Sequence, residues 1–260
     1  MIITSRQNPL VVRLSKLSDR KHRKSERLFL AEGVKLAAEA AASGVVEYLL
    51  VTEEHAASPV AKSVEASGGE VITVSVEVLE KISTESAPQG MIAVCRMMDD
   101  VHSVYGNGGS FYGRILILDR VRDPGNLGTI LRSAEAFGGV RLFVSGCADI
   151  YNPKTVRGSM GAVFRVNTVE FETTEAAVTA AKAMGYRVLG AALDDTAVRL
   201  GEYSLCGDDA VIIGTEGKGI ADDVLKMCDG KLYIPMAGGE SLNCSVAASV
   251  IMWEMFKGEL

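Results

Sequence analysis

Between residues 115 and 256 the chain alternates short runs of Val, Ile and Leu with stretches of helical periodicity, and this alternation restricts its fold more than any other feature. Ile115-Leu116-Ile117-Leu118 and Ala210-Val211-Ile212 are apolar without interruption, as strands are when both faces of their sheet are covered. Strands are predicted near 115–119, 142–144, 166–169, 187–192, 210–214 and 231–235, with helices between them at 127–137, 153–162, 174–184, 221–228 and 243–256. Strand and helix repeated in this order predict an α/β fold with a parallel sheet. Open sheets of that kind bind ligands beyond the C-terminal ends of their strands, which directs attention to three loops.

Asn126-Leu127-Gly128-Thr129-Ile130-Leu131-Arg132 follows the first of these strands. Gly214-Thr215-Glu216-Gly217-Lys218-Gly219 follows the strand at 210–214, and Ile234-Pro235-Met236-Ala237-Gly238-Gly239-Glu240-Ser241-Leu242-Asn243-Cys244-Ser245-Val246-Ala247 leads from the last strand into the C-terminal helix. Glycines let main chain approach a ligand closely, and Ser or Asn at a helix start satisfies free backbone N–H groups. Any one of these loops alone reads as an ordinary strand-to-helix connection. Two familiar nucleotide signatures are excluded. A P-loop needs Gly five positions before Gly217 and Ser or Thr after Lys218, where this chain has Ile212 and Gly219. No G-x-G-x-x-G follows the first strand of either half.

The order N-x-G-x-x-x-R, G-x-E-x-x-G, I-P-M-x-G-x-x-S-L-N-x-S-x-A resembles the three motifs of the SpoU/TrmH family of RNA ribose 2′-O-methyltransferases, within the SPOUT superfamily. The resemblance covers residues 111–260. It implies an α/β trefoil-knot methyltransferase domain, S-adenosylmethionine as cofactor, and a homodimer with its sites at the interface. It implies that Asn126, Arg132, Glu216, Ser241 and Asn243 meet at the reacting centre. Ala191, Gly214, Gly217, Ile234, Met236 and Leu242 are the cofactor-binding residues it implies. A guanidinium holds its proton at neutral pH, so Arg132 is better suited to binding a phosphate and stabilising a developing alkoxide than to acting as a simple base. Cys244 stands where the family pattern has Val.

At 260 residues, 48% of them apolar, the chain is long enough for two domains. Residues 1–97 repeat strand and helix on a smaller scale, a small α/β sandwich, and 98–110 form a linker containing Asp99-Asp100 and Gly106-Asn107-Gly108-Gly109. By resemblance the first domain is a ribosomal-protein-like RNA-binding domain. The net charge of −6 is unevenly spread: residues 1–27 carry eight Lys and Arg against Asp19 and Glu26. Asn8-Pro9 starts a helix in which Leu10, Leu14 and Leu17 recur at helical spacing. That spacing leaves Arg13, Arg20, Arg23 and Lys24 on exposed faces. With Arg6, and with Arg157 from the stretch 152–161, they are the expected contacts to RNA phosphate.

Five scattered cysteines without a C-x-x-C pair argue against a disulfide framework and a zinc site, and the three histidines lie outside the motif loops. No metal is expected. No apolar run reaches the ~18 residues of a membrane span, and the N-terminus lacks the apolar core of a signal peptide, so a cytoplasmic protein is expected. The reading is methylation of a ribose 2′-hydroxyl in RNA, ribosomal rather than transfer RNA. A tRNA 2′-O-methyltransferase, or a non-catalytic RNA-binding protein on the same fold, are the alternatives.

Overall fold

A computed structural model describes residues 2–98, 113–205, 207–215, 219–238 and 241–257; the predicted linker lies outside them apart from Met98. The chain forms two compact units, Met1–Met98 with Asp149–Phe164, and Asp99–Ala148 with Arg165–Leu260.

The first unit opens with α1 (Pro9–Ser15), where the Asn8 side chain accepts the Leu10 N–H at 2.9 Å and Pro9 takes the first helical position. The single amphipathic helix expected here is two helices. After a 3₁₀ turn at Lys16–Ser18, Asp19 accepts the Lys21 N–H at 2.7 Å and starts α2 (Arg20–Glu26) afresh. The restart changes which residues face inward. Leu14 and Leu17 are buried as their spacing predicts, but Arg23 is buried with them, only 1% exposed. Its guanidinium donates to Asp149 at 2.7 and 3.1 Å and to the carbonyl oxygens of Leu17 and Ser18 at 2.8 and 2.7 Å. Arg23 is therefore not an exposed phosphate contact. Its charge is consumed within the fold.

Then come β1 (Leu28–Glu32), α3 (Val34–Ala42), β2 (Val46–Val51), α4 (Pro59–Ala66), β3 (Glu70–Thr73), α5 (Val76–Ile82) and β4 (Met91–Arg96). The sheet runs β1-β4-β2-β3, with β4 antiparallel to both neighbours and β2 parallel to β3. One core joins Leu14 and Leu17 to Leu79 and Ile82 of α5, over Leu30, Leu50 and Val94 of the sheet.

The second unit begins with β5 (Ile115–Asp119), α6 (Pro124–Ala136) and β6 (Arg141–Ser145). Residues 149–164 then belong to the first unit. They hold α7 (Pro153–Gly158) and a 3₁₀ turn at Ala162–Phe164. The helix expected at 153–162 stops early because Met160 and Gly161 take φ values of 52° and 100°. Tyr151 and Phe164 place their rings 4.5 and 6.0 Å from that of Phe29, and the Tyr151 hydroxyl accepts the Met98 N–H at 2.9 Å.

The second unit resumes with β7 (Thr168–Phe171), α8 (Thr174–Ala183), β8 (Arg187–Ala191), β9 (Val198–Arg199), β10 (Asp209–Ile213), α9 (Asp222–Met227), β11 (Gly230–Tyr233) and α10 (Cys244–Phe256). All pairings are parallel, in the order β7-β6-β5-β10-β8-β11-β9. The sequence reading lacks β9, whose two exposed residues carry no apolar run. β5 and β10 are buried along their whole length, and one face packs on Ala177, Val178 and Ala181 of α8. From β5 the chain builds outward through β6 and β7, and later strands fill the other side. The switch point therefore lies between β5 and β10, where such sheets bind ligands. Among the described residues no helix is long and apolar enough to cross a membrane.

Candidate active site

The loops after β5 and β10 and before α10 converge at this switch point. Asp123 caps α6 by accepting the Asn126 N–H at 2.8 Å. Asn243 caps α10, its Oδ1 accepting from the backbone N–H and the hydroxyl of Ser245 at 2.9 and 2.7 Å. Those two bonds fix which end of the amide is oxygen, so its Nδ2 donates to Asn126 Oδ1 at 3.1 Å. Two residues 117 positions apart thus tie the starts of two helices together. About two turns along α6, the Ser133 and Ser249 hydroxyls meet at 2.8 Å on the same seam. Arg132 precedes Ser133 and points about 100° away around the helix; it is exposed, and among the described residues it has no ion-pair partner.

A cavity of about 410 Å³ opens beside β8, β10 and α10, within the range of roughly 300–1,000 Å³ for small-molecule sites. Ala191, Gly214, Ile234, Met236 and Leu242 all line it, and so does Ser241. Glu216 and Gly217 lie outside the described residues. The main chain closes tightly on either side of them: the Gly219 N–H donates to Thr215 O at 3.0 Å. A Cβ on Gly214 would lie 2.3 Å from the Gly219 carbonyl carbon and 2.6 Å from the Ile220 nitrogen. Sequence reasoning missed Leu193, Thr215, Ile220, Tyr233, Cys244 and Ile251, which also line the cavity. Cys244 and Ile251 recur at seven-residue spacing on α10 and were findable as its inward stripe. Leu193, 72% exposed, carries no sequence signal.

A second cavity, about 360 Å³, is lined by Arg120, Arg122, Asp123, Asn126, Thr215 and Cys244. Thr215 and Cys244 are common to both cavities. Arg120 has φ 58°, the left-handed region that side chains other than Gly seldom adopt. Buried Asp119 holds its guanidinium by two bonds of 3.0 and 2.7 Å and also accepts the Thr174 hydroxyl at 2.7 Å. Arg132 lines neither cavity. In the first unit Arg6, Arg13, Arg20 and Lys24 are exposed, Arg13 paired with Glu26 at 3.0 Å. Arg157 is half-buried and paired with Glu85.

The family model described as "SpoU rRNA Methylase family" matches residues 113–253. This chain belongs to the SpoU rRNA methylase family. As a SpoU methylase it is an S-adenosylmethionine-dependent RNA ribose 2′-O-methyltransferase. A second model, the MRM3-like substrate binding domain, matches residues 8–93. The chain is 32% identical to the 23S rRNA (guanosine(2553)-2′-O)-methyltransferase RlmP of Bacillus subtilis over 97% of its own length and 98% of that protein's. The fold matches an AdoMet-bound rRNA methyltransferase from Sinorhizobium meliloti at TM-score 0.88 and 29% identity, covering 100% of this chain and 98% of that one. It also matches the SpoU methyltransferase AviRb of Streptomyces viridochromogenes in complex with AdoMet, at TM-score 0.83 and 27% identity over 97% and 98% of the two chains.

The residues of this SpoU methylase fit its cofactor. The walls of the larger cavity are mainly apolar, suited to the faces of an adenine, and its rim is main chain drawn close at Gly214 and Gly219.

Proposed function

We propose that this methyltransferase acts on ribosomal RNA, as a cytoplasmic homodimer with a knotted C-terminal domain in which each reaction site draws on both chains. The substrate class is supported by the full-length likeness to a 23S rRNA enzyme, N-terminal domain included. The knot and the compartment come with the family likeness.

The observation that carries the shared site is the position of Arg132. The seam from Asn126 to Ser133 faces α10 of the same chain, and Arg132 points away from it, outside both cavities. A guanidinium needed at the reacting centre is then supplied by a partner. The outer side of α10 agrees: Val246 and Trp253 are 47% and 44% exposed, and Trp253 lies 5.9 Å from Phe137, ring centre to ring centre. Exposed apolar surface of this kind is usual at subunit contacts, and a C2 pairing produces two equivalent sites.

Ala191, Ile234, Met236 and Leu242 hold the cofactor's base, with Gly214 and Gly217 supplying main chain. Bound there, S-adenosylmethionine supplies a methyl group on a positively charged sulfur. Asn126 and Asn243, tied at 3.1 Å, fix the loops around the acceptor; Ser241 lies on the cavity wall within reach of a ligand. Arg132 binds the phosphate beside the acceptor hydroxyl and stabilises its oxygen as the proton leaves to phosphate or water. Glu216 orients Arg132. Arg6, Arg13, Arg20, Lys24 and Arg157 contact RNA elsewhere.

A ribose-methylation map of total RNA from cells with and without the protein tests the substrate. One ribosomal position should lose its methyl group; loss only in transfer RNA, or nowhere, overturns the reading.

A further inference from the structure

We propose that the second cavity is a phosphate subsite, in which Arg120 and Arg122 share with Arg132 of the partner subunit the backbone phosphate next to the acceptor ribose. This rests on the RNA reading above and adds residues none of the motifs contains. The acceptor oxygen must reach the cofactor cavity, and in RNA the adjoining 3′ oxygen carries a phosphate. That phosphate is held within a few bonds of the reacting atom. The second cavity shares Thr215 and Cys244 with the cofactor cavity, so a nucleotide with its hydroxyl in one has its phosphate at the mouth of the other.

The side chains there are arranged for an anion. Asp119 engages two of the five N–H donors of Arg120 and fixes the plane of the group, leaving three donors. Asp119 is itself 3% exposed and anchored by Thr174, so its charge is committed to the pair. Asp123, the acid that lines this cavity among the described residues, accepts the Asn126 N–H as a helix cap. Arg122 is exposed, lines the cavity, and has no ion-pair or hydrogen-bond partner among the described residues. Both carboxylates, Asp119 behind Arg120 and Asp123 on the wall, are already hydrogen-bonded. Directed donors, not net charge, then hold the phosphate. The left-handed backbone at Arg120 aims this side chain, and such backbone concentrates where a function requires it.

Arg122 is the position to test, because Arg120 also supports the buried Asp119. The probe is ribosomal RNA transcribed in vitro and so unmethylated, used in methyl-transfer kinetics and in fluorescence binding over a salt series. For Arg122→Ala, KM for RNA should rise about tenfold or more with kcat little changed. The salt slope of binding should fall by roughly 0.7–0.9. Arg122→Lys should restore the slope but only part of KM, because a lysine returns the charge without the planar fork of donors. Cofactor affinity by calorimetry should equal wild type for both. An unchanged KM and slope overturn the subsite, and a matching loss of cofactor affinity reassigns the cavity to the cofactor. If the wild type transfers no methyl group to ribosomal RNA, the substrate reading falls, and the salt slopes of the two variants still decide the subsite.

Discussion

Gly214 shows how much one missing atom matters. Its Cβ would collide with the carbonyl carbon and oxygen of Gly219 at 2.3 and 2.4 Å, atoms of main chain that have no rotamer to escape into. Gly214→Val should therefore abolish S-adenosylmethionine binding by calorimetry while far-UV circular dichroism stays native; retained binding would show that the loop opens freely. Thiol chemistry gives a second expectation. Burial pushes the Cys147 thiol up to about 12, so at pH 8 the native protein should leave Cys147 unalkylated by iodoacetamide, with labelling only after unfolding, as read by peptide mass. Because the folded value is the higher one, this thiol's share of stability is complete below its ordinary value of 9.0 and lost as pH rises towards about 12. The cavity-lining set at Ile234, Met236 and Leu242 was legible through the resemblance of its motif, since the glycines and caps of that loop alone mark only a strand-to-helix connection. Arg23 was not. Periodicity reports which face a residue lies on, and says nothing of a carboxylate 126 positions away that makes burial of a cation tolerable.

Among the elements, α6 and α10 bear most directly on the site, and the Asn126–Asn243 bond is where they communicate. Asn243→Ala removes both the cap of α10 and the bridge to α6. Losing a cap costs about 1 kcal/mol, or a fall of about 2–4 °C in Tm for a unit of this size. A double-mutant cycle with Asn126→Ala should show coupling between the two residues in methyl transfer; strict additivity would mean that the bond is incidental. Strand and helix were located from alternation because parallel strands buried on both faces are apolar throughout, as in β5 and β10. The misses have physical causes. Asp19 restarts a helix that a leucine repeat alone would run straight through, and β9 is too short to show a period.

For the whole molecule, the proposed shared site predicts complementation. Arg132→Ala and Gly214→Val should each be inactive, yet mixed dimers of the two contain one intact site and should recover up to about half of the wild-type activity per dimer, since a C2 pair has two sites. No recovery in heterodimers confirmed by native mass spectrometry would mean that each chain supplies its own Arg132. RNA affinity is expected to depend steeply on salt through the first unit. Because Val11, Leu14 and Leu17 are core, charge has to be removed without deleting the helices. Replacing exposed Lys16, Lys21 and Lys24 by Gln should lower the salt slope by roughly 0.7–0.9 for each phosphate that the protein no longer neutralises, and an unchanged slope would make them solvated surface only.

The segment 149–164 bears on how such enzymes are inherited and re-engineered. It lies within the stretch matched by the methylase family model, yet it packs as part of the other unit, through Asp149 on Arg23 and Tyr151 and Phe164 on Phe29. The boundary a gene-fusion experiment would cut, after Met98, is not the boundary along which side chains are shared. A methylase grafted onto another substrate-binding domain would carry a sixteen-residue patch tailored to a neighbour left behind, with the Asp149 carboxylate deprived of its guanidinium. Where the new domain covers that carboxylate without supplying a cation, the loss is about 3–5 kcal/mol. Exchange between relatives should therefore succeed only when this patch travels with the N-terminal unit, as two halves of one transplant separated by fifty residues of chain.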